Sequence, residues 1–137
     1  MTKTYREIAE FLAVAGKRLQ EKSVKDSKFT YALRKVAKST QKLWEAHLES
    51  REDLDVEHAA TDEKTGVLLR ESSGALSFTR DGMKARNKAI REAYAATVEI
   101  KPHAAQWPDD LSDSESEAFE GFVPNLSAAA QPEEQAG

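Results

Sequence analysis

The sequence predicts an α+β protein that is mainly helical: an antiparallel helical hairpin, a small three-stranded antiparallel sheet and a third packed helix. Two long segments repeat apolar residues at steps of three and four, which indicates amphipathic helices. Two short apolar runs flank a glycine-containing turn, which indicates a β-hairpin. The length of 137 residues suits one modest hydrophobic core.

The first helix is predicted over residues 5–21. Thr4 and Glu7 have the spacing of a capping box, in which each side chain bonds the other residue's amide. The second helix is predicted from residue 28 to beyond residue 49, and up to residue 56. Residues 22–27 form a short polar break, so the two helices are expected to run antiparallel.

Three short strands are predicted in the second half of the chain. Residues 67–70 and 75–78 form a hairpin around Gly74, and residues 98–100 supply a third strand that ends at Pro102. A third helix is predicted over residues 80–97. Because a lone hairpin is marginal in water, the sheet needs this helix or a further strand.

A division at residue 107 is also predicted, with an acidic segment over residues 108–137. This segment is expected to hold a short helix that docks by its phenylalanines, followed by a flexible tail. The predicted core comprises Phe11, Leu12, Leu33, Val36, Leu43, Trp44, Ile90 and Tyr94.

Composition excludes several classes of protein. The chain has no cysteine, which excludes disulfide scaffolds, zinc–thiolate sites and cysteine nucleophiles. The longest apolar run is about six residues, against the ~20 that span a bilayer. No phosphate-binding loop or nucleophile motif is present. We therefore expect a soluble protein that is not an enzyme, with no cofactor and no resident metal.

Charge is segregated along the chain. Residues 1–52 hold 12 basic and 7 acidic side chains, a net +5, and residues 53–137 hold 8 and 17, a net −9. Two basic stripes at helical spacing are candidate polyanion sites, and the alternative interpretation is that they are solvated helix faces. The stripes comprise Lys28, Tyr31, Arg34, Lys35, Lys38 and Lys42 on the second helix, and Arg80, Lys84, Lys88 and Arg91 on the third.

The acidic segment is a candidate partner-binding site. Acidic residues mixed with aromatic residues can bind a basic groove or imitate nucleic-acid phosphates, although a helix docked on its own domain has the same pattern. The candidate residues are Asp109, Asp110, Asp113, Glu115, Glu117, Phe119 and Phe122. His58 with Asp53 and Asp55 is a weaker cation site that lacks strict ligand spacing.

The order of elements resembles small α+β proteins of unknown function that tailed bacteriophages encode. The likeness lies in the run Lys28-Phe29-Thr30-Tyr31-Ala32-Leu33-Arg34-Lys35, the charged helix end at residues 45–52, and the run Val98-Glu99-Ile100. It also includes Leu111 and the segment 119–123, and it covers residues 5–124 in layout. The resemblance implies a phage origin and brings no activity, cofactor or catalytic residue.

The leading functional hypothesis is a non-enzymatic protein-interaction protein, either a virion or assembly accessory or an inhibitor of a host defence system. Its partner is a host or phage protein, or a second copy of the chain, and no membrane is involved. The expected location is the host cytoplasm or the virion. The alternative hypothesis is a nucleic-acid or nucleotide binder that uses the basic stripes.

Overall fold

A computed structural model describes residues 1–21 and 26–126 of the chain. The elements in chain order are β1 (Thr2–Thr4), α1 (Tyr5–Gln20), α2 (Lys28–His58), α3 (Arg80–Ala95), β2 (Thr97–Glu99) and α4 (Asp113–Phe119). The mainly helical α+β class is therefore confirmed. The predicted tail beyond residue 126 and residues 22–25 of the predicted break lie outside the described residues.

The sheet differs from the prediction. It has two strands rather than three among the described residues, and β1 pairs with β2 in antiparallel register, with Lys3 opposite Val98. The sequence segment predicted as a third strand is thus β2, but its partner is the N-terminal strand and not the hairpin. A three-residue strand just before a capping box has too few apolar positions to show the period-2 alternation that predicts a strand.

The predicted hairpin forms only isolated bridges. Arg70 bridges Leu76, and Leu68 bridges Thr61 on the other side. Gly74, with φ of 91°, occupies the turn between the two runs, where an L side chain would be strained. The hairpin turn is therefore as predicted, while the ladder is too short to make extended strands.

The helix starts follow the capping signals in the sequence. The Thr4 hydroxyl accepts from the Glu7 amide, and the Glu7 carboxylate accepts from the Thr4 amide, so α1 begins with a complete capping box. Ser112 and Glu115 form the second capping box at α4. Such caps satisfy backbone amides that have no partner inside the helix.

The contacts divide the chain into two compact units. The first unit consists of Met1–Trp44 and the described residues from Thr97, and the second unit is Glu45–Ala96. Helix α2 supplies residues to both units. This division does not fall at residue 107, because the acidic segment packs on α1 within the first unit.

The core of the first unit is aromatic. Phe11 of α1 stacks on Phe122 at 4.2 Å between ring centroids and meets the edge of Phe119 at 5.9 Å. Phe29 of α2 lies 5.9 Å from Phe119, so α1, α2 and the C-terminal segment share one core. Of the predicted core, Phe11, Leu33 and Val36 are buried, and Leu12, Leu43 and Trp44 are half-buried against them. The antiparallel direction of α1 and α2 stays a prediction.

In the second unit, α3 runs antiparallel to the second half of α2. His47 faces Tyr94, with ring centroids 6.0 Å apart, and Asp55 accepts a 2.6 Å hydrogen bond from Arg86. Gly82 lies where an added Cβ would be 2.7 Å from the His58 carbonyl oxygen. The two helices therefore approach closely at the start of α3.

Apolar burial in the second unit is incomplete. His47 is its only buried residue, and the unit is described throughout. Ile90 and Tyr94, predicted as core, are half-buried here and are not part of the first unit's core. None of the described helices is long and apolar enough to cross a membrane.

Candidate functional site

A basic groove lies between the first half of α2 and the chain segment 99–101. Lys35, Lys38 and Lys42 line it from α2, and Lys101 lines it from the facing segment. The cavity has a volume of about 430 Å³, and Leu43 with Ile100 contributes apolar lining. Within the described part of the chain, no carboxylate lies within 4.0 Å of these four ammonium groups.

An aromatic cleft lies further towards the start of α2. Its cavity, about 770 Å³, is lined by Lys28 and Tyr31 of α2 and by His103 and Trp107 of the facing segment. The rings of Tyr31 and His103 meet edge to face with centroids 6.0 Å apart. Tyr31 keeps 57% of its surface exposed, so its ring is open to a ligand.

The first predicted basic stripe is thus split between two adjacent cavities. At 100° per residue, Lys28, Tyr31, Lys35, Lys38 and Lys42 fall within about 80° of one another around α2. Arg34 is also exposed but lies just beside this arc and lines neither cavity.

The second predicted stripe lies on α3, in the second unit. Arg80, Lys84, Lys88 and Arg91 are all exposed. They fall within about 80° of one another around the helix, so they share a face. The two stripes belong to different compact units, and each is a separate candidate site.

An acidic face lies on the second half of α2. Glu45, Glu49, Glu52 and Val56 follow one another at steps of four, three and four, and all four are exposed. This helix face therefore carries carboxylates around a solvent-exposed valine. The sequence showed these carboxylates only as a charged helix end.

The acidic C-terminal segment mostly serves the fold. Phe119 and Phe122 are 0% and 2% exposed, so a partner does not reach either ring in this fold. Arg18 of α1, whose side chain is 9% exposed, donates to Glu115 at 2.9 Å and to Asp110 at 3.2 Å. The interpretation of a helix docked on its own domain therefore fits these four residues.

Electrostatics strengthens this attachment. Burial opposes ionisation of Glu115, but hydrogen bonding from the Ser112 amide and the charge of Arg18 outweigh it, so the pKa of Glu115 is lowered. Asp109, Asp113 and Glu117 remain exposed and are the part of the predicted acidic site that solvent reaches.

The weak cation site is not assembled. Asp55 pairs with Arg86, while Asp53 is exposed and His58 is half-buried. Within residues 1–21 and 26–126, no group of three or more histidine, aspartate or glutamate side chains is placed to hold a metal ion.

Four residues of these sites were missed from the sequence. Arg18 lies on α1, and its carboxylate partners are 92 and 97 positions away in the chain, so no local pattern indicates them. Lys101, His103 and Trp107 lie in an irregular segment with no periodicity, so only their closeness to α2 in space makes them part of a site.

Comparison of the chain with protein-family models, with curated proteins and with solved structures found no match.

Proposed function

We propose that this chain is a non-enzymatic interaction protein that associates with copies of itself through the second unit, Glu45–Ala96. The observation that carries the proposal is the incomplete burial of this unit. None of its apolar side chains is fully buried, and it exposes five of the chain's large apolar residues by 38% to 61% of their surface. These residues are Leu48, Val56, Val67, Leu69 and Met83.

Apolar exposure of this extent favours a binding surface. Single exposed apolar residues are normal on any protein, but they usually accompany a unit with its own buried core. Val67 and Leu69 are two residues apart in an extended segment, so both side chains lie on the same side of it. Burial against a second molecule would remove this surface from water.

Charge favours a second copy as the occupant. The acidic face of α2 ends at Val56, one helical turn after Glu52, and Met83 directly precedes Lys84 of the basic face of α3. In a two-fold symmetric dimer, each acidic face meets the partner's basic face, so the same pairing occurs twice. Opposite potentials of this kind fix the orientation of an interface and speed association.

Self-association supports one of the predicted roles more than the other. An assembly accessory, in the virion or the host cytoplasm, works through repeated contacts between copies, whereas an inhibitor of host defence needs only a foreign partner. We therefore propose the assembly role, with the phage origin resting on the resemblance in layout.

Charge reversal tests this interface. We would measure molar mass by sedimentation velocity at micromolar to millimolar concentration for wild type, for E49K/E52K and for K84E/K88E. Each double variant places like charges opposite each other in the dimer, so each is expected to be monomeric. An equimolar mixture of the two restores both pairings and is expected to form a heterodimer.

The matched control is E10K/E117K, which makes the same charge change on exposed residues of the first unit. It is expected to associate like the wild type. A wild type that stays monomeric throughout would overturn self-association. Association that is unaffected by both reversals, or not restored by mixing, would overturn the proposed interface.

A further inference from the structure

We infer that the first half of α2 and the facing segment 99–109 form a binding groove for single-stranded nucleic acid. The basic groove and the aromatic cleft lie along the same pair of chain segments. One helical turn separates Tyr31 of the cleft from Lys35 of the groove, and His103 is two positions after Lys101. From Lys28 to Lys42 the helix rises about 21 Å.

Among the described residues, no salt bridge neutralises the positive charge along this line. Five lysines line the two cavities, at positions 28, 35, 38, 42 and 101. The carboxylates on their lining are Glu99 and Asp109, and Glu99 is paired with the N-terminal ammonium group at 3.0 Å. A row of lysines at helical spacing in a groove is suited to follow successive phosphates.

The aromatic residues supply the second requirement, a surface on which bases stack. Tyr31 is exposed, and His103 meets it edge to face. Trp107 is fixed beside them, because its indole N–H donates to the Val123 carbonyl at 2.6 Å. Stacking on such rings tolerates any base, since every base has a π-face.

Together these features favour a single strand over the other polyanions. In a duplex the base faces are stacked inside and the rings have nothing to contact. An acidic peptide would engage the lysines but would gain less from exposed rings. The cleft volume of about 770 Å³ lies in the range of small-ligand sites, which accommodates a nucleobase.

Binding is tested with fluorescein-labelled dT12 and rU12, by fluorescence anisotropy from 20 to 200 mM salt. For three to five phosphate contacts, the slope of log K against log salt is about −2 to −3.5. K38Q/K42Q is expected to weaken binding by about tenfold at low salt and to reduce the slope. The matched control K17Q/K64Q removes the same charge from exposed lysines outside the groove and outside the charged faces of the second unit, and is expected to bind like wild type.

Tyr31→Ala separates stacking from charge. Because it removes the stacking of one base, Tyr31→Ala is expected to bind the oligonucleotides about tenfold more weakly, with an unchanged salt slope. Tyr31→Phe keeps the ring and is expected to restore the affinity. Absence of binding at 20 mM salt would overturn the inference. If both lysine pairs weakened oligonucleotide binding equally, the proposed location of the binding site would be wrong. If duplex DNA or polyglutamate bound with the same affinity as the single strands, and Tyr31→Ala had no effect, the groove would be assigned to a polyanion without bases.

Discussion

Replacing Arg18 by methionine tests whether the acidic segment is held to the fold by a partly buried ion pair. Methionine keeps an aliphatic stem near the Phe29 ring, which lies 5.7 Å from the guanidinium carbon. It removes two charge-assisted hydrogen bonds and leaves Glu115, 20% exposed, without its counter-charge. Breaking a buried pair costs about 3–5 kcal/mol, and because Glu115 is partly solvated we expect about 3 kcal/mol.

The three members of this cluster should rank by burial. Glu115→Gln keeps the capping geometry, because glutamine also serves in a capping box, and isolates the lost charge at about 2 kcal/mol. Asp110 has a side chain that is 74% exposed, so Asp110→Asn should cost at most about 1 kcal/mol. Both tryptophans belong to the first unit, so urea unfolding followed by tryptophan fluorescence reports on it.

The order Arg18, Glu115, Asp110 is the result that the geometry requires. An Asp110→Asn variant that costs as much as Arg18→Met, or an Arg18→Met variant that costs nothing, would refute the reasoning. Since the pKa of Glu115 is lowered in the fold, its stabilising effect is complete above the unfolded value of about 4.5. This stabilising effect is lost as the pH falls through the lowered pKa that Glu115 has in the folded protein.

Three further changes test the two units. Phe119→Ala should destabilise the first unit by about 3–5 kcal/mol in urea unfolding, and a loss below about 1 kcal/mol would show that the ring is not in the core. Gly82→Ala places a Cβ 2.7 Å from the His58 carbonyl oxygen and should lower the melting temperature measured by circular dichroism. The control is Gly16→Ala, where the added Cβ meets open space, and it should raise the melting temperature because alanine favours the helix more than glycine does. The pKa of His47 is lowered by burial and by the charge of Arg51, so the second unit should melt at lower temperature as the pH falls below about 6.5. This dependence should disappear in His47→Leu, and its persistence there would assign it to another group.

Local signals were predictable from the sequence, whereas pairings between distant segments were not. The caps at Thr4 and Ser112 follow from side chains three residues apart, and the structure contains both. The pairing of β1 with β2 joins residues about 95 positions apart in the chain, and no local pattern specifies it. A strand of three residues also gives too few positions for its burial pattern to be read.

The candidate site was likewise predictable only where it depends on local sequence. The face shared by Lys35, Lys38 and Lys42 follows from helical geometry, and so does the shared face of the α3 stripe. The groove exists only because residues 99–109 return to α2, and this segment is hydrogen-bonded to the chain that follows Phe119, with the His103 amide donating to the Phe122 carbonyl. Those two rings were candidates both for binding a partner and for docking on their own domain, because an aromatic residue among carboxylates looks the same in sequence in either case.

The ion pairs that the acidic segment makes inside the first unit determine which charged side chains remain available to bind another molecule. Arg18 neutralises Glu115 and Asp110 inside the first unit, so the strongest acidic run of the sequence is partly used by the fold. Among the described residues, no salt bridge involves the residues at which the two surfaces are tested, which are Lys38, Lys42, Glu49, Glu52, Lys84 and Lys88. Because these two surfaces lie in different units, K38Q/K42Q should weaken oligonucleotide binding and leave self-association unchanged. A variant that lost both together would show that one surface serves both purposes, and would contradict the separation of the two proposed sites.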